Sequence, residues 1–493
     1  MPLGAPEITA SHRFGDRERR ASAALFVLAL APRLWAALAW AKEPVWDGHY
    51  YDFGARRIAA GQGYSDDLII AGVPVWHPWC HYPVGYSGFL GAIYRVFGSG
   101  TAVAPLANAL VGALLTVLVF LLGRRFLGER RAVVAAVAVA FSPELIAYTA
   151  LLMTEPLASV GPVAAALVLL ALAGTRPLLG AALAGAVFGL STLVRPQTIL
   201  LAPALALLVS PGGTFGAAIL GKVKIAVVAT ATALCVVAPW TARNCRVMDG
   251  CAFVSTNGGW NLAIGALPTA TGRFTGLKAQ DGCPVVTGQV QQDRCWRDEA
   301  IAAIAREPRR WLALVPKKLS FTFDHASFPM GYLGEADPAR WTKPAKERGR
   351  EILTFAHRAL LVLACLAFVA VPAPRERRAA VWASQAGKLA LVGALAGYAA
   401  ASPAHPFYLL AVLLPLLAAV PLPGDAARSP VVSFLAFQVL ALVLTHAVFF
   451  GEDRYHVVVA PALALLAAAG LRKTTYPGEE PTPPAARRLS LSP

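Results

Sequence analysis

Apolar runs long enough to cross a bilayer recur along the chain, separated by short basic turns or by long polar segments. A spanning helix needs roughly 20 mostly apolar residues. Runs of that kind fall at 22–41, 103–123, 132–148, 155–174, 177–194, 197–210, 222–240, 352–371, 379–400, 407–423, 431–449 and 456–471, with 132–148 and 197–210 short or interrupted. The pattern predicts an all-α polytopic membrane protein of about 12 transmembrane helices. Segments 42–101 and 241–351 are too long and polar to be turns, so they read as two long extracytoplasmic loops. The resulting order is a cytoplasmic basic tail 1–21, a transmembrane module 22–240 that includes loop 42–101, a loop domain 241–351, a second transmembrane module 352–472 and a tail 473–493. Pro, Glu and Ser in that tail predict disorder.

Composition narrows the class. Of 493 residues, 57% are hydrophobic and 15% charged, whereas a soluble domain is about a quarter charged. Charge this sparse cannot cover a soluble surface. The net charge of +16 is better read through the positive-inside rule than as a nucleic-acid surface. Arg13, Arg17, Arg19 and Arg20 sort to one side with Arg124, Arg125, Arg130, Arg131, Arg176, Lys222 and Lys224. Arg375, Arg377, Arg378, Arg428, Arg472, Lys473, Arg487 and Arg488 join them. These positions predict a multi-pass protein of the plasma (inner) membrane with both termini cytoplasmic, surrounded by membrane lipids and binding no nucleic acid.

The chemistry-bearing residues gather at the opposite boundary. Asp47 follows the first apolar run and reads either as a helix N-cap or as a working carboxylate. Glu155, before Pro156 at the mouth of a span, reads as a first-turn acid or as a functional intramembrane acid, with Glu144 a weaker parallel. Arg195 and Arg454 lie on the outer side, against the charge rule. Each either binds an anion with its planar fork or snorkels or pairs with a nearby acid. His49, His77 and His81 in the first loop fit no metal signature. Asn257-Gly258-Gly259 marks a turn in a small-polar loop suited to binding. Cys245, Cys251, Cys283 and Cys295 share the second loop without C-x-x-C spacing, which favours disulfides. Three pairings are possible, the simplest being Cys245–Cys251 with Cys283–Cys295. Cys235 and Cys365 read as buried core residues, and Cys80 is left over. No Walker loop, GxGxxG, HExxH or GxSxG arrangement stands out, so a substrate meeting the outer membrane face fits better than soluble nucleotide chemistry.

Several pieces, in order, resemble the membrane glycosyltransferases of the GT-C superfamily, notably the family 39-like relatives of protein O-mannosyltransferases and aminoarabinose transferases. They are Asp47 with Tyr51; Ala59, Gly61 and Gly63-Tyr64; Tyr82-Pro83-Val84-Gly85-Tyr86; Thr154-Glu155-Pro156; and Leu193-Val194-Arg195-Pro196. Further along come Pro239–Asn244, Ser255–Asn261, Glu307-Pro308 with Lys318, and Arg454-Tyr455. The resemblance implies inverting transfer of a sugar from a polyprenyl-phosphate donor to a glycan, lipid or protein acceptor. Asp47 would be the catalytic base and Glu155 the second-loop acid. Tyr51, His81, Arg195, Asn257, Lys318, Arg454 and Tyr455 would meet the substrates. Some relatives bind a divalent metal through acidic and His residues and others need none, so the cofactor stays open. Where many relatives have Asp-Glu followed by Arg-Tyr, this chain has Asp47-Gly48 and Tyr50-Tyr51. Two other classes compete. An envelope polysaccharide polymerase or ligase would rely on loop arginines without the Asp, and a secondary transporter would show internal repeats and broken mid-membrane helices.

The charge map has a direct check. Reporter fusions at Arg125 and Gly288 are expected to report opposite sides of the membrane, and signals from the same side would overturn the orientation.

Overall fold

The computed structural model describes residues 15–209, 214–284, 288–370, 379–423, 425 and 429–470. The chain opens with α1 (Asp16–Ala39), α2 (Asp47–Ala59), the hairpin β1 (Ser65–Ile70) and β2 (Val73–Pro78), and α3 (Val84–Phe97). α4 (Val103–Leu127), α5 (Glu129–Ala140), α6 (Pro143–Ala147), α7 (Glu155–Leu172) and α8 (Pro177–Val194) follow. Two tight 3-10 runs, Pro196–Leu201 and Pro203–Leu208, lead to α9 (Phe215–Val247). The second long loop holds α10 (Gly258–Ala266), α11 (Gln289–Arg306), α12 (Pro308–Ala313), α13 (Val315–Phe323) and α14 (Phe328–Ala336). α15 (Lys343–Leu366), α16 (Ala379–Ala401), α17 (Tyr408–Ala419), α18 (Pro430–Val448), the 3-10 turns Asp453–Val459 and α19 (Ala460–Ala469) complete it.

The helix limits follow local chemistry. Gly98 and Gly128 adopt left-handed φ values of +78° and +80°, which end α3 and α4 with no Cβ penalty. Pro156 and Pro177 occupy first-turn positions, where the missing N–H costs nothing. Ser142 caps α6 through Leu145 N. α4 is the hub, packed against α1, α5 and α7, and α7, α8 and α9 stack in order.

Among the described residues, seven helices are long and apolar enough to cross a membrane: α1, α4, α7, α8, α9, α16 and α18. An eighth results if α5 and the α6 turn form one span bent by 47°. The polytopic all-α class stands. The remaining apolar runs take other forms: 197–210 becomes 3-10 turns, 352–371 falls in α15, 407–423 shortens to the 12 residues of α17, and 456–471 begins as 3-10 turns before α19. The tail 473–493 and the basic residues Arg375, Arg377, Arg378, Arg428, Arg472 and Lys473 lie outside the described residues.

The bend between α5 and α6 has a physical cause. Arg33, fully buried in α1, donates to the carbonyls of Val139 and Ala140 at 2.9 and 2.7 Å, the last residues of α5. A cation suits the orphan carbonyls of a helix C-terminus. Gly112 of α4 makes room, because a Cβ there would strike the Arg33 guanidinium.

At the start of α1, Arg17 pairs with Glu129 at 3.0 Å and Arg124 with Glu18 at 3.1 Å. The basic α4–α5 turn therefore shares an end of the bundle with the N-terminal segment. The two long loops meet each other. α9, with 33 residues, runs for about 50 Å, longer than a bilayer core is thick. Its last turns carry Arg243, which donates to Tyr64 O at 2.7 Å and Trp79 O at 3.1 Å. Asn244 beside it donates to Ala252 O and Val254 O. Thr256 N adds a bond to Cys80 O, so the loops are laced together. The hairpin was not expected from its Asp and Pro content. Ala71 and Gly72 make its two-residue turn with φ of +50° and +81°, and Arg57 anchors it through Ser65 and Asp67.

Two disulfides, Cys245–Cys251 and Cys283–Cys295, brace the second loop. Cys80 and Cys365 are buried free thiols, while Cys235, read from sequence as buried, is exposed. Closing such short rings stabilises the loop domain by roughly 2–3 kcal/mol each in the chain-entropy account. Mass spectrometry of unreduced, alkylated peptides is expected to recover both cross-linked pairs, and Cys245→Ser or Cys283→Ser should lower the melting temperature. Four freely alkylated thiols in native protein would remove both cross-links.

Candidate active site

α2 begins at Asp47, yet the side chain caps nothing. Its carboxylate instead accepts from Tyr82 Oη at 2.9 Å and from Arg454 at 2.5 Å. The N-cap alternative is thereby displaced. Trp46, just before it, holds a positive φ of +52°, a costly conformation for a bulky residue. Its indole contacts Phe328 and Tyr332 edge-on, fixing the entry to α2. At Gly48 a Cβ would run into the Tyr332 hydroxyl, which favours glycine beside Asp47.

Arg454 comes from the opposite end of the sequence, in the 3-10 turns before α19. Its guanidinium is mostly buried, lies 2.9 Å from Glu452, and sits over the rings of Phe328 and Tyr455 at 5.2 and 5.1 Å. Asp453 holds this turn in place by accepting from the Ser327 and Phe328 amides at the start of α14. Burial opposes ionisation of Asp47. The Arg454 charge and the bonds from Arg454 and Tyr82 together outweigh it, so the carboxyl titrates below the usual range. Burial lowers His81 despite the pull of Asp47, which keeps the imidazole neutral near pH 7.

A second pair stands beside the first. Glu155 is fully buried and accepts from Arg195 at 2.5 Å, while Arg195 Nε donates to Thr154 at 3.0 Å. The other terminal nitrogen of Arg195 has no hydrogen-bond partner. Arg195 also faces the Tyr455 ring at 5.3 Å, so two guanidiniums converge on one tyrosine. Both outer arginines pair with acids rather than snorkel.

Two cavities meet at these residues. One of about 390 Å³ is lined by Asp47, Tyr51, His81, Arg195, Asn257, Arg454 and Tyr455, with Ile199, Leu200 and Phe449 on its apolar side. The other, about 800 Å³, is lined by Trp46, Tyr50, Arg273, His325, Phe328 and Arg350. Asp47 and Arg454 line both. Of the catalytic and substrate-binding residues that the resemblance implied, only Glu155 and Lys318 line neither. Lys318 is buried, and its ammonium group donates to Ala447 O and Val448 O at the C-terminus of α18, a helix-end capping role. Sequence reading missed Tyr82 as a partner of Asp47, Thr154 and Asp453 as supports, and His446, which stacks on Tyr455 at 4.2 Å. Tyr82 and Thr154 had a signal, their places in the Tyr-Pro-Val-Gly-Tyr and Thr-Glu-Pro segments. His77 pairs with Asp66 in the hairpin, and His49, His77 and His81 form no metal-ligating group among the described residues. The acids at the two loop positions, Asp47 and Glu155, are both held by guanidiniums, an arrangement that does not fit a shared divalent ion.

Residues 81–242, about a third of the chain, match the family described as dolichyl-phosphate-mannose-protein mannosyltransferase. The match spans Tyr82, Thr154-Glu155-Pro156, Arg195 and Pro239–Ala242. The chain is thus similar to membrane glycosyltransferases of the GT-C superfamily. Among solved structures, it is similar to the Archaeoglobus fulgidus oligosaccharyltransferase tethered with an acceptor peptide, at 14% identity and a TM-score of 0.45, covering 91% of this chain and 49% of that one. The same enzyme, AglB, with an inhibitory peptide and a dolichol-phosphate, gives 14% identity and a TM-score of 0.43, with 92% and 50% covered. ArnT from Cupriavidus metallidurans bound to undecaprenyl phosphate gives 16% and 0.35, with 91% and 77% covered. The chain spans about half the length of the archaeal enzyme. No curated protein matches it in sequence.

The Asp47–Arg454 pair sets an acid-range signature. A carboxyl held below its unfolded value of about 3.9 contributes stability above that pH and loses it as pH falls through the folded value. Arg454→Gln leaves burial unopposed by that charge, so the sign reverses and Asp47 costs stability as pH rises through the same range. Melting temperatures across acidic pH are expected to show opposite trends for wild type relative to Asp47→Asn and for Arg454→Gln relative to the double variant. The same trend in both comparisons would mean that Arg454 does not control Asp47.

Proposed function

We propose that this chain is a multi-pass glycosyltransferase of the plasma membrane that transfers a sugar from a polyprenyl-phosphate donor to an acceptor hydroxyl on the extracytoplasmic face, with inversion. The observation that carries the reading is the Asp47–Arg454 pair shared by two cavities. An inverting transfer needs a carboxylate on the acceptor side and cationic stabilisation of the departing phosphate. One wall here offers both.

The 390 Å³ cavity suits the donor, because its two arginines are phosphate ligands of fork geometry and Ile199 and Leu200 offer apolar surface to the prenyl chain. A small apolar cleft lined by Pro162, Leu201, Leu442 and Val459 opens beside Arg195 and extends that surface. The acceptor, whether glycan, lipid or protein, enters the larger cavity past Trp46 and Tyr50. Asp47 takes the hydroxyl proton as the acceptor oxygen bonds to the anomeric carbon. The bond from that carbon to the phosphate oxygen breaks, and its electron pair leaves with the lipid phosphate against Arg454 and Arg195. Tyr51, His81 and Asn257 line the same space, and Tyr455 orients both guanidiniums. Glu155 and Lys318 act by positioning, the first through Arg195 and the second through the end of α18.

Donor binding and Asp47 are coupled in this scheme. A phosphate that engages Arg454 competes with Asp47 for the same fork, so the carboxylate becomes more basic as the donor arrives. Asp47→Asn keeps size and removes the base, so transfer from a polyprenyl-phosphate sugar should fall about 10²–10⁴-fold with donor binding retained. Near-normal transfer by this variant would assign catalysis elsewhere. Arg454→Lys keeps charge but not the fork, and weaker donor binding with an intact melting profile is expected.

A further inference from the structure

Behind the Arg454 turn lies a cluster that the transfer scheme does not use. Glu144 of α6, His357 of α15 and His456 of the Asp453–Val459 turns are all buried, and one donor atom from each falls within 4.8 Å of the other two. Glu144 differs from the two loop acids, and neither Asp47 nor Glu155 belongs to the cluster.

The hydrogen bonds fix which nitrogens are free. The Nδ1 of His456 lies 2.7 Å from the carbonyl of Thr322, and the Nε2 of His357 lies 2.9 Å from the carbonyl of Phe323. A carbonyl only accepts, so both ring nitrogens must carry the proton and donate. In the neutral rings, His456 Nε2 and His357 Nδ1 are then bare lone pairs. His456 Nε2 stands 3.0 Å from one Glu144 oxygen and 3.1 Å from the other. A lone pair facing a buried carboxylate at that distance repels it unless a positive charge lies between them. A proton on His456 satisfies that one contact and leaves His357, stacked on it at 3.7 Å between ring centres, without a role. A metal ion satisfies all three donors. Histidines that ligate metals also typically donate their other N–H to a carbonyl or carboxylate, and here consecutive carbonyls of α13 accept both.

We infer that Glu144, His357 and His456 form a structural site for a divalent transition metal, with zinc the fitting ion. Two imidazoles and one carboxylate suit zinc better than the all-oxygen preference of magnesium or calcium. Bonds of about 2.0–2.1 Å at tetrahedral angles bring donors to ~3.3 Å of one another. The Glu144–His456 contact is already near that spacing, and His357, with a donor atom within 4.8 Å of both, closes the remainder on binding. The ion would tie the α5–α6 bend, α15 and the turn bearing Arg454 into one unit. Neither Asp47 nor Glu155 is among its ligands, so the ion is a positioning device for the turn that carries Arg454.

The test uses full-length protein in detergent, stripped with a chelator and titrated with Zn²⁺, or with Co²⁺ as a visible probe. The wild type is expected to take up one ion per chain, to show the intense visible bands of four-coordinate Co²⁺, and to gain melting temperature on loading. Glu144→Gln and His357→Gln should each lose the tight ion, whereas a variant of an exposed α2 histidine, His49→Ala, should keep it. X-ray absorption at the zinc edge of the wild type should show scattering from two imidazoles, a readout that holds even if a variant fails to fold. A wild type that takes up no ion, a coordination shell without imidazole, or normal uptake by both Gln variants would leave an imidazolium–carboxylate pair in place of the metal.

Discussion

The contact on which the site depends is the ion pair between Asp47 and Arg454, which joins positions 407 residues apart. One partner starts the first helix of loop one, and the other sits in the turn leading to the last helix. Neither end is held by the pair alone. Trp46 fixes one side through its strained backbone and its contacts with Phe328 and Tyr332. Asp453 fixes the other by accepting the first amides of α14. α14 therefore supports both partners, which lets the second long loop set the geometry between the two ends of the chain.

Polar groups this deep are costly unless their hydrogen bonds are met, and the fold meets them by pairing across elements. Arg33 satisfies the end of α5, Lys318 the end of α18, and Arg195 meets Glu155. Arg195 keeps a nitrogen without a hydrogen-bond partner and lines a cavity, which leaves it free to meet an anion. Two arginines facing Tyr455 repel each other, and in the proposed transfer the anionic phosphodiester of the donor relieves that repulsion.

The legible parts of the sequence were those where a residue broke a local rule. Arg195 and Arg454 violate the positive-inside tendency, and both line the candidate donor cavity. Asp47 broke no local rule, since a carboxylate there also reads as a helix N-cap, and the resemblance is what singled it out. Lys318 broke no rule visible in sequence, since its partners are backbone carbonyls of a helix more than 100 residues away. Arg33 was hidden inside an apolar run for the same reason. Hydropathy registers apolar length and not helix continuity, so it does not report where a run breaks. Pro196 and Pro203 break 197–210 into 3-10 turns, and the α5–α6 bend interrupts another run. The hairpin escaped because Asp66, Asp67 and Pro74 are poor strand residues, and its edge is anchored by Arg57 rather than by pattern.

Rigidity and exchange are distributed unevenly around Asp47. Arg243 and Thr256 lace the two loops together, and Asn244 and two disulfides brace the second, so the walls of the candidate donor cavity are preorganised. The exchangeable element is the partner of Arg454. A guanidinium can hold a carboxylate or a phosphate through similar bonds at similar lengths, so swapping one for the other requires little movement of the surrounding backbone. In the proposed exchange, the bond from Tyr82 to Asp47 at 2.9 Å is the contact that keeps the carboxylate aimed. In the proposed mechanism, a preorganised wall with one exchangeable ion pair lets the empty protein keep its carboxylate paired and expose it when a phosphate takes the arginine.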